Sequence, residues 1–185
     1  MEIVIANPAA PSNPFLERLS LVVGDITAQQ VDAIAMLVPR TLDFEGDLNH
    51  KIAAASGTDL DSFILENIYR PSAGDVFALP GFALPCRHIL LGVMPRIKSD
   101  FEREDHYLSS ACRKIMETAR TMLLRRVAFA DIGAGFGYPK GRSARLMFQG
   151  ITERLDEDFD EVRIVCSNAA SQEVFAERLS ILKGA

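Results

Sequence analysis

A short stretch of the chain, DIGAGFGYPKGR at residues 131–142, carries four glycines between an apolar run and a sequence of helical periodicity. Glycine adopts positive φ and lets a ligand approach the main chain. A loop between a strand and a helix also offers unpaired N–H groups at the positive end of the helix dipole. The pattern predicts an anion site, typically for phosphate. A tight turn that only needs flexible residues is the alternative.

Two phosphate-binding motifs do not fit this stretch. The dinucleotide fingerprint requires G-x-G-x-x-G, whereas Gly133, Gly135 and Gly137 give G-x-G-x-G. The P-loop requires a lysine after its second glycine, whereas Lys140 precedes Gly141. Any anion site here therefore belongs to neither motif.

The residues that follow the glycines carry positive charge. Pro139 is predicted to occupy the first turn of a helix, and Lys140, Arg142 and Arg145 come directly after it. Cations at a helix start oppose the dipole by about 0.3–1 kcal/mol each. We therefore expect a negative group nearby, either a ligand phosphate or Asp and Glu side chains from elsewhere in the fold.

A second set of residues suits acid–base chemistry. Glu45, Asp47 and His50 cluster on one predicted loop and helix start. The spacing of Asp47 and His50 places them on one helix face, where an Asp–His pair could act as a base. The alternative is a group of solvated side chains.

Composition excludes several classes of protein. The chain has 185 residues and a net charge of −5, which argues against nucleic-acid binding over the whole surface. Three cysteines (Cys86, Cys112 and Cys166) form no CxxC pair, and two sit in apolar runs, so core packing is favoured over a catalytic thiol. No Cys/His cluster supports a zinc site, and no cofactor is expected. Without a signal peptide or an apolar run of ~20 residues, we predict a cytoplasmic protein that has no membrane partner.

Hydrophobic periodicity predicts an α/β fold with a partly parallel, mixed sheet. Strands are predicted at 19–26, 31–38, 75–80, 88–94, 126–132 and 161–167. Helices are predicted at 47–55, 61–69, 105–124, 140–155 and 171–182, the last with Ser171 as its N-cap. Residues 1–18 are predicted to form an N-terminal arm or edge strand, and residues 19–185 a single domain.

Several motifs appear in an order that resembles the macro domain family. They are VGDIT at 23–27, VDAI at 31–34, the segment 46–52 with Gly57, GDV at 74–76, GFALP at 81–85 and GFGYP at 135–139. The similarity extends from about residue 19 to residue 182. It implies a three-layer α/β/α domain that binds ADP-ribose, and some members of the family hydrolyse ADP-ribose from proteins or related metabolites.

The resemblance also implies roles for individual residues. Asp25 would accept a hydrogen bond from the adenine amino group, with Ile26 beside it. Main-chain N–H groups would wrap the diphosphate, and Phe136 would lie near the distal ribose. The wrapping loop would be formed by Gly133, Ala134, Gly135, Phe136, Gly137 and Tyr138, and the facing phosphate loop by Gly46, Asp47 and Leu48.

This chain departs from the pattern of the hydrolases in that family. Residues 35–40 read AMLVPR where those proteins carry Asn-Ala-Ala-Asn, and the glycine triplet is Glu45-Gly46-Asp47. Their water-activating aspartate falls at Asn49. The aromatic that often lies against adenine falls near Gln172, whereas Phe175 is expected in the core.

Three functions follow from these observations. The first is a module that binds ADP-ribose or a related nucleotide, without the usual hydrolase chemistry, with an ADP-ribosylated protein as a further candidate partner. The second is an ADP-ribosyl hydrolase with a rearranged catalytic set, Asp47 and His50. The third is a diverged macro fold with another ligand or a role in an assembly, which Glu45 and Asp47 favour because acids repel a diphosphate.

Overall fold

A six-stranded mixed sheet organises the chain. The computed structural model describes residues 13–42, 46–57, 59–95, 101–132 and 136–184. The strands are β1 (Leu19–Val23), β2 (Ala33–Pro39), β3 (Val76–Pro80), β4 (His88–Met94), β5 (Arg126–Ala130) and β6 (Glu161–Cys166). The helices are α1 (Asp47–Ser56), α2 (Asp59–Asn67), α3 (Phe101–Thr121), α4 (Lys140–Thr152) and α5 (Ala169–Leu182). The predicted α/β class and mixed sheet are confirmed.

The strand order is β1-β6-β5-β2-β4-β3, and every pair is parallel except β3 with β4. The antiparallel pairing of β3 with β4 is what makes the sheet mixed. After β2 the chain continues toward β3 and β4, whereas after β5 it continues toward β6. The connections that leave β2 and β5 thus run in opposite directions along the sheet, and a crevice forms at such a reversal.

Strand β2 lies at the centre of the core. All residues from Ala33 to Val38 are buried, as expected for a parallel strand whose run AIAMLV is apolar on both sides. Successive side chains of a strand point to opposite faces, so both faces of the sheet are covered. This is the three-layer arrangement that the resemblance implies.

Helices α3 and α4 pack closely where a side chain is missing. A Cβ on Gly150 would lie 2.0 Å from the carbonyl oxygen of Ser109 in α3. No atom beyond hydrogen fits in that space, so glycine sets the distance between the two helices. This contact fixes α4, whose first turn borders the cavity described below.

Several predicted boundaries differ from the structure. Strand β1 ends at Val23, because the Asp25 side chain caps a 3₁₀ turn at Ile26–Ala28. Helix α4 ends at Thr152 rather than 155, and it begins at Lys140, so Pro139 precedes the helix instead of lying in its first turn. The N-cap of α5 is Asn168 and not Ser171, because Asn168 Oδ1 accepts from the Ser171 N–H at 2.8 Å.

Part of the predicted arm at 1–18 is tied to the fold. Asn13 Nδ2 donates to the carbonyl oxygens of Thr152 and Leu155 at 2.8 and 2.9 Å. Residues 1–12 lie outside the described residues, so the division into an arm and a domain at 19–185 stays a prediction. Among the helices that the structure describes, none has both the length and the apolar character needed to cross a membrane.

Candidate functional site

A cavity of about 630 Å³ opens at the carboxyl ends of the parallel strands. Its wall includes Gly24 after β1, Leu37 and Pro39 in β2, Pro95 after β4, Ala130, Asp131 and Ile132 at the end of β5, and Val165 and Ser167 at the end of β6. This volume is in the range of small-molecule sites. Because connections diverge between β2 and β5, the cavity occupies the place where α/β sheets bind ligands.

Two helices begin at the cavity, and within the part of the chain that the structure describes neither start has a side-chain cap. Helix α1 follows Gly46, whose φ of 86° suits glycine, and helix α4 follows Pro139; neither residue makes a capping hydrogen bond through its side chain. Gly46 and Lys140 both line the cavity. The first N–H groups of a helix have no acceptor within it. Two helix starts therefore present N–H groups and positive dipole ends to one space, which favours an anion.

The three cations at the start of α4 have different surroundings. Arg142 Nε lies 2.7 Å from Asp105 Oδ1, and Arg145 Nη2 lies 3.3 Å from Asp105 Oδ2. The negative group expected for these two cations is therefore Asp105 of α3. Lys140 is exposed and lines the cavity. Of the two alternatives, acidic side chains from elsewhere in the fold are thus found for Arg142 and Arg145, and Lys140 remains as the candidate partner of a ligand phosphate.

A hydrogen-bonded cluster lies at the adjacent ends of β5 and β6. Asp131 Oδ2 accepts from the Ser167 N–H at 3.1 Å, from Ser167 Oγ at 2.8 Å and from Ser171 Oγ at 2.5 Å. All three residues line the cavity. Burial and the charge of Asp131 raise the pKa of the neighbouring Cys166 thiol to about 11, although a hydrogen bond with Ser171 acts in the opposite direction. Cys166 is thus a neutral core residue, and the carboxylate belongs to the cavity.

Asp25, the predicted partner of adenine, is engaged by its own chain. Its Oδ1 accepts from the N–H and the Oγ1 of Thr27 at 2.9 and 2.7 Å, and its Oδ2 lies 2.9 Å from Lys51 Nζ. The Thr27 hydroxyl and then the Lys51 ammonium hold the pKa of Asp25 below its ordinary value. Gly24 and Ile26 border the cavity, whereas Asp25 is not among the described residues that form its wall.

Helix α1 carries the predicted acid–base pair at its start. Asp47 lines the cavity, and His50 is exposed on the next turn but is not one of the lining residues that the structure describes. Asn49 is 6% exposed, and its Nδ2 donates to the Leu37 carbonyl oxygen at 2.8 Å. Asn49, where the resemblance implies an aspartate in the hydrolases, therefore links α1 to β2 through this hydrogen bond.

The predicted ligand-binding residues are only partly brought together. Those in the cavity wall are Ile26, Gly46, Asp47, Leu48 and Phe136. Tyr138 is buried at 3% exposure, and Gly137 has a φ of 85°. Three other predicted ligand-binding residues, Gly133, Ala134 and Gly135, lie outside the described residues, as does Glu45 of the predicted acid–base cluster. Phe175 is in the core, with its ring against Phe148, as predicted.

Sequence reasoning missed the cluster of Asp131, Ser167 and Ser171. Asp131 directly follows β5 and Ser167 directly follows β6. The pairing of two parallel strands brings their carboxyl ends together, but the sequence alone does not state which strands are neighbours. The signal was the polar residue immediately after each buried run.

Comparisons with known proteins agree with this geometry. A family model described as "Macro domain" matches residues 39–147. A macro domain-containing protein of Methanosarcina mazei is 29% identical over 168 residues, which cover 89% of each chain. Another, from Cupriavidus necator, is 28% identical over 170 residues and covers 89% of this chain and 98% of that protein. The structure of the Oceanobacillus iheyensis macrodomain with ADP superposes with a TM-score of 0.79 at 25% identity and covers 90% of this chain and 92% of that one.

Proposed function

Because this chain belongs to the macro domain family, we propose that its cavity binds ADP-ribose or a related nucleoside diphosphate. The observation that carries the proposal is the cavity at the carboxyl ends of the sheet, where the uncapped starts of α1 and α4 meet Lys140. A diphosphate accepts hydrogen bonds from N–H groups and pairs with an ammonium. The similar Oceanobacillus iheyensis macrodomain with ADP supports this assignment.

Calorimetric titration of the purified protein tests the proposal. ADP-ribose and ADP should bind with saturation, and AMP should bind less tightly because it lacks the second phosphate. Lys140→Gln should weaken ADP-ribose binding about tenfold, since one charge-assisted hydrogen bond is lost. Lys183→Gln, an exposed lysine beyond α5, is the matched control and should leave affinity unchanged. The absence of any saturable heat at about 1 mM ADP-ribose would refute the proposal.

Asp47 tests how well the site tolerates a diphosphate. Its carboxylate borders the cavity at the first turn of α1, where it stabilises the helix dipole but repels phosphate. Asp47→Asn should tighten ADP-ribose binding about threefold and lower the free energy of unfolding by about 0.3–1 kcal/mol. Unchanged or weaker binding would mean that Asp47 contacts the ligand favourably.

We also propose that the module lacks the usual hydrolase chemistry. Asn49 has no basic group, and its amide is committed to the Leu37 carbonyl. The alternative catalytic set is Asp47 with His50. Incubation with mono-ADP-ribosylated protein, the candidate partner, should release little ADP-ribose. Turnover that disappears in both Asp47→Ala and His50→Ala would establish the rearranged hydrolase instead.

A further inference from the structure

We infer that Asp131 is a specificity determinant for the nucleoside part of the ligand. Its carboxylate would accept hydrogen bonds from a pair of N–H or O–H donors on the base or on the ribose. This inference rests on the proposed function, because it assigns the end of the site that the phosphates do not occupy. Asp25 has both carboxylate oxygens engaged by Thr27 and Lys51, whereas Asp131 lies in the cavity wall.

The cluster around Asp131 presents hydrogen-bond acceptors and uses up its own donors. Oδ2 accepts from Ser167 N–H and from the hydroxyls of Ser167 and Ser171, so both serine protons are committed. Asn168 Nδ2 lies 3.4 Å from Ser167 Oγ as a donor, which leaves the Ser167 proton directed at Asp131. Within the described chain Oδ1 makes no hydrogen bond, and Asp131 is half-buried. A carboxylate is acceptor-only when ionised, so Oδ1 can accept from a hydrogen-bond donor of the ligand.

This chemistry fixes the direction of a bound nucleotide. Phosphate oxygens are acceptors with negative charge, so Asp131 repels them while Lys140 and the helix starts attract them. The nucleoside half must then face Asp131. If an acceptor atom of the ligand faced Oδ1 instead, two acceptors would be buried together with no hydrogen between them, which is unfavourable.

Two parts of a nucleoside offer adjacent donors. Guanine carries a ring N–H beside an amino group, whereas adenine carries an amino group beside a ring acceptor. The ribose offers the 2′- and 3′-hydroxyls. The shared chemistry is a donor pair on Oδ1 and the Ser167 oxygen, and the experiment distinguishes its two sources.

Titrations of GDP, IDP, ADP and 2′-deoxy-ADP against the unmodified protein separate these sources. A base-edge contact predicts the order GDP, IDP, ADP, with GDP at least about fivefold tighter than ADP. A ribose contact predicts that 2′-deoxy-ADP binds about tenfold more weakly than ADP while the three bases differ little. Equal affinities for all four nucleotides would overturn the inference without any variant.

The same titrations with Asp131→Asn locate the effect. The amide oxygen would take the place of Oδ2 opposite the serines and turn its NH₂ toward the cavity, so an acceptor becomes a donor in nearly the same shape. The discrimination seen in the unmodified protein should be lost, with a drop of about tenfold for the preferred ligand. Asp61→Asn, the same change on the exposed side of α2, is the control and should alter nothing.

Each outcome separates this inference from the proposed function. If nucleotides bind and Asp131→Asn keeps the full discrimination, Asp131 has no such role, although the cavity still binds nucleoside diphosphates. A loss produced by Asp25→Asn but not by Asp131→Asn would assign recognition to Asp25. If neither ADP-ribose nor any of these diphosphates binds, the proposed function is wrong and this inference is wrong with it.

Discussion

Replacing Asn49 by aspartate would introduce the residue type that the resemblance implies for the hydrolases at this position, but we expect it to destabilise the fold. Asn49 is 6% exposed, and its Nδ2 donates to the Leu37 carbonyl oxygen at 2.8 Å. In Asn49→Asp an ionised carboxylate oxygen would face that carbonyl oxygen. Two acceptors would meet where a donor and an acceptor now meet.

The cost can be built from two contributions. The lost hydrogen bond removes about 1 kcal/mol, and the buried Leu37 carbonyl, now without its donor, adds about 1–2 kcal/mol. A loss of about 2–3 kcal/mol corresponds to a fall in Tm of about 4–12 °C for a chain of this size. Burial and the facing carbonyl should also raise the pKa of the new carboxyl in the folded state. The protonated acid can donate to Leu37, so the destabilisation should shrink as pH falls toward the raised pKa.

Thermal unfolding at pH 7.5 and pH 4.5 checks this expectation, and the chain offers a matched control. Asn67 in α2 makes the same kind of bond, Nδ2 to the Phe63 carbonyl oxygen at 2.8 Å, but it is exposed. Asn67→Asp should change Tm by less than about 2 °C at either pH, because water can solvate both groups. If Asn49→Asp is as stable as the unmodified protein at pH 7.5, or if its loss does not depend on pH, the reasoning fails.

Three further predictions concern stability and reactivity. Gly150→Ala should lower the free energy of unfolding in urea by about 3 kcal/mol, because the new Cβ would clash with the backbone of α3. Gly141→Ala in the same helix is the control: its Cβ would enter open space, so the change should be neutral or stabilising. Equal effects of the two substitutions would contradict the packing argument. The thiols of Cys112 and Cys166, whose pKa values burial raises to about 12 and about 11, should react with a disulfide reagent at pH 8 at least about 100-fold more slowly in the folded protein than in urea. Because the pKa of Asp25 is lowered in the folded state, its pairing with Lys51 stabilises the fold at pH values above the ordinary pKa of aspartate. This contribution is under about 1 kcal/mol for a half-exposed pair, and it is lost as pH falls through the lowered pKa. In Asp25→Asn the free energy of unfolding should therefore depend less on pH in the acid range.

The fold was predictable because local patterns and long-range burial agree. The run AIAMLV of β2 is apolar at every position, and a strand buried on both faces needs that. Gly57 follows α1 with a φ of 91°, a conformation that favours glycine at the end of a helix. Boundaries failed where a side chain competes with the regular structure. Asp25 turns the chain after β1, and Asn168 rather than Ser171 caps α5, because several residues near each boundary could serve as caps.

The candidate site was predictable only as a set of loops. Gly46 and Phe136 could be assigned to one cavity from the resemblance, and both line it. Partners contributed by distant segments could not be deduced in the same way. Arg142 pairs with Asp105, 37 residues earlier in the chain, and Asp131 binds Ser171, 40 residues later. Such pairs depend on which helices and strands become neighbours, and hydrophobic periodicity carries no information about that.

The internal pairing of polar groups narrows what the cavity can bind. The Asn49 amide is committed to β2, the Asp25 carboxylate to Lys51 and Thr27, and the Arg142 guanidinium to Asp105. Without these internal partners, each of these groups could form a hydrogen bond or an ion pair with a ligand. Lys140 and Asp131 are the charged residues of the wall that flank the glycine loop from its two ends. The proposed ligand has negative charge at one end and hydrogen-bond donors at the other, so a nucleoside diphosphate can pair with both residues, whereas a simple inorganic anion can pair only with Lys140.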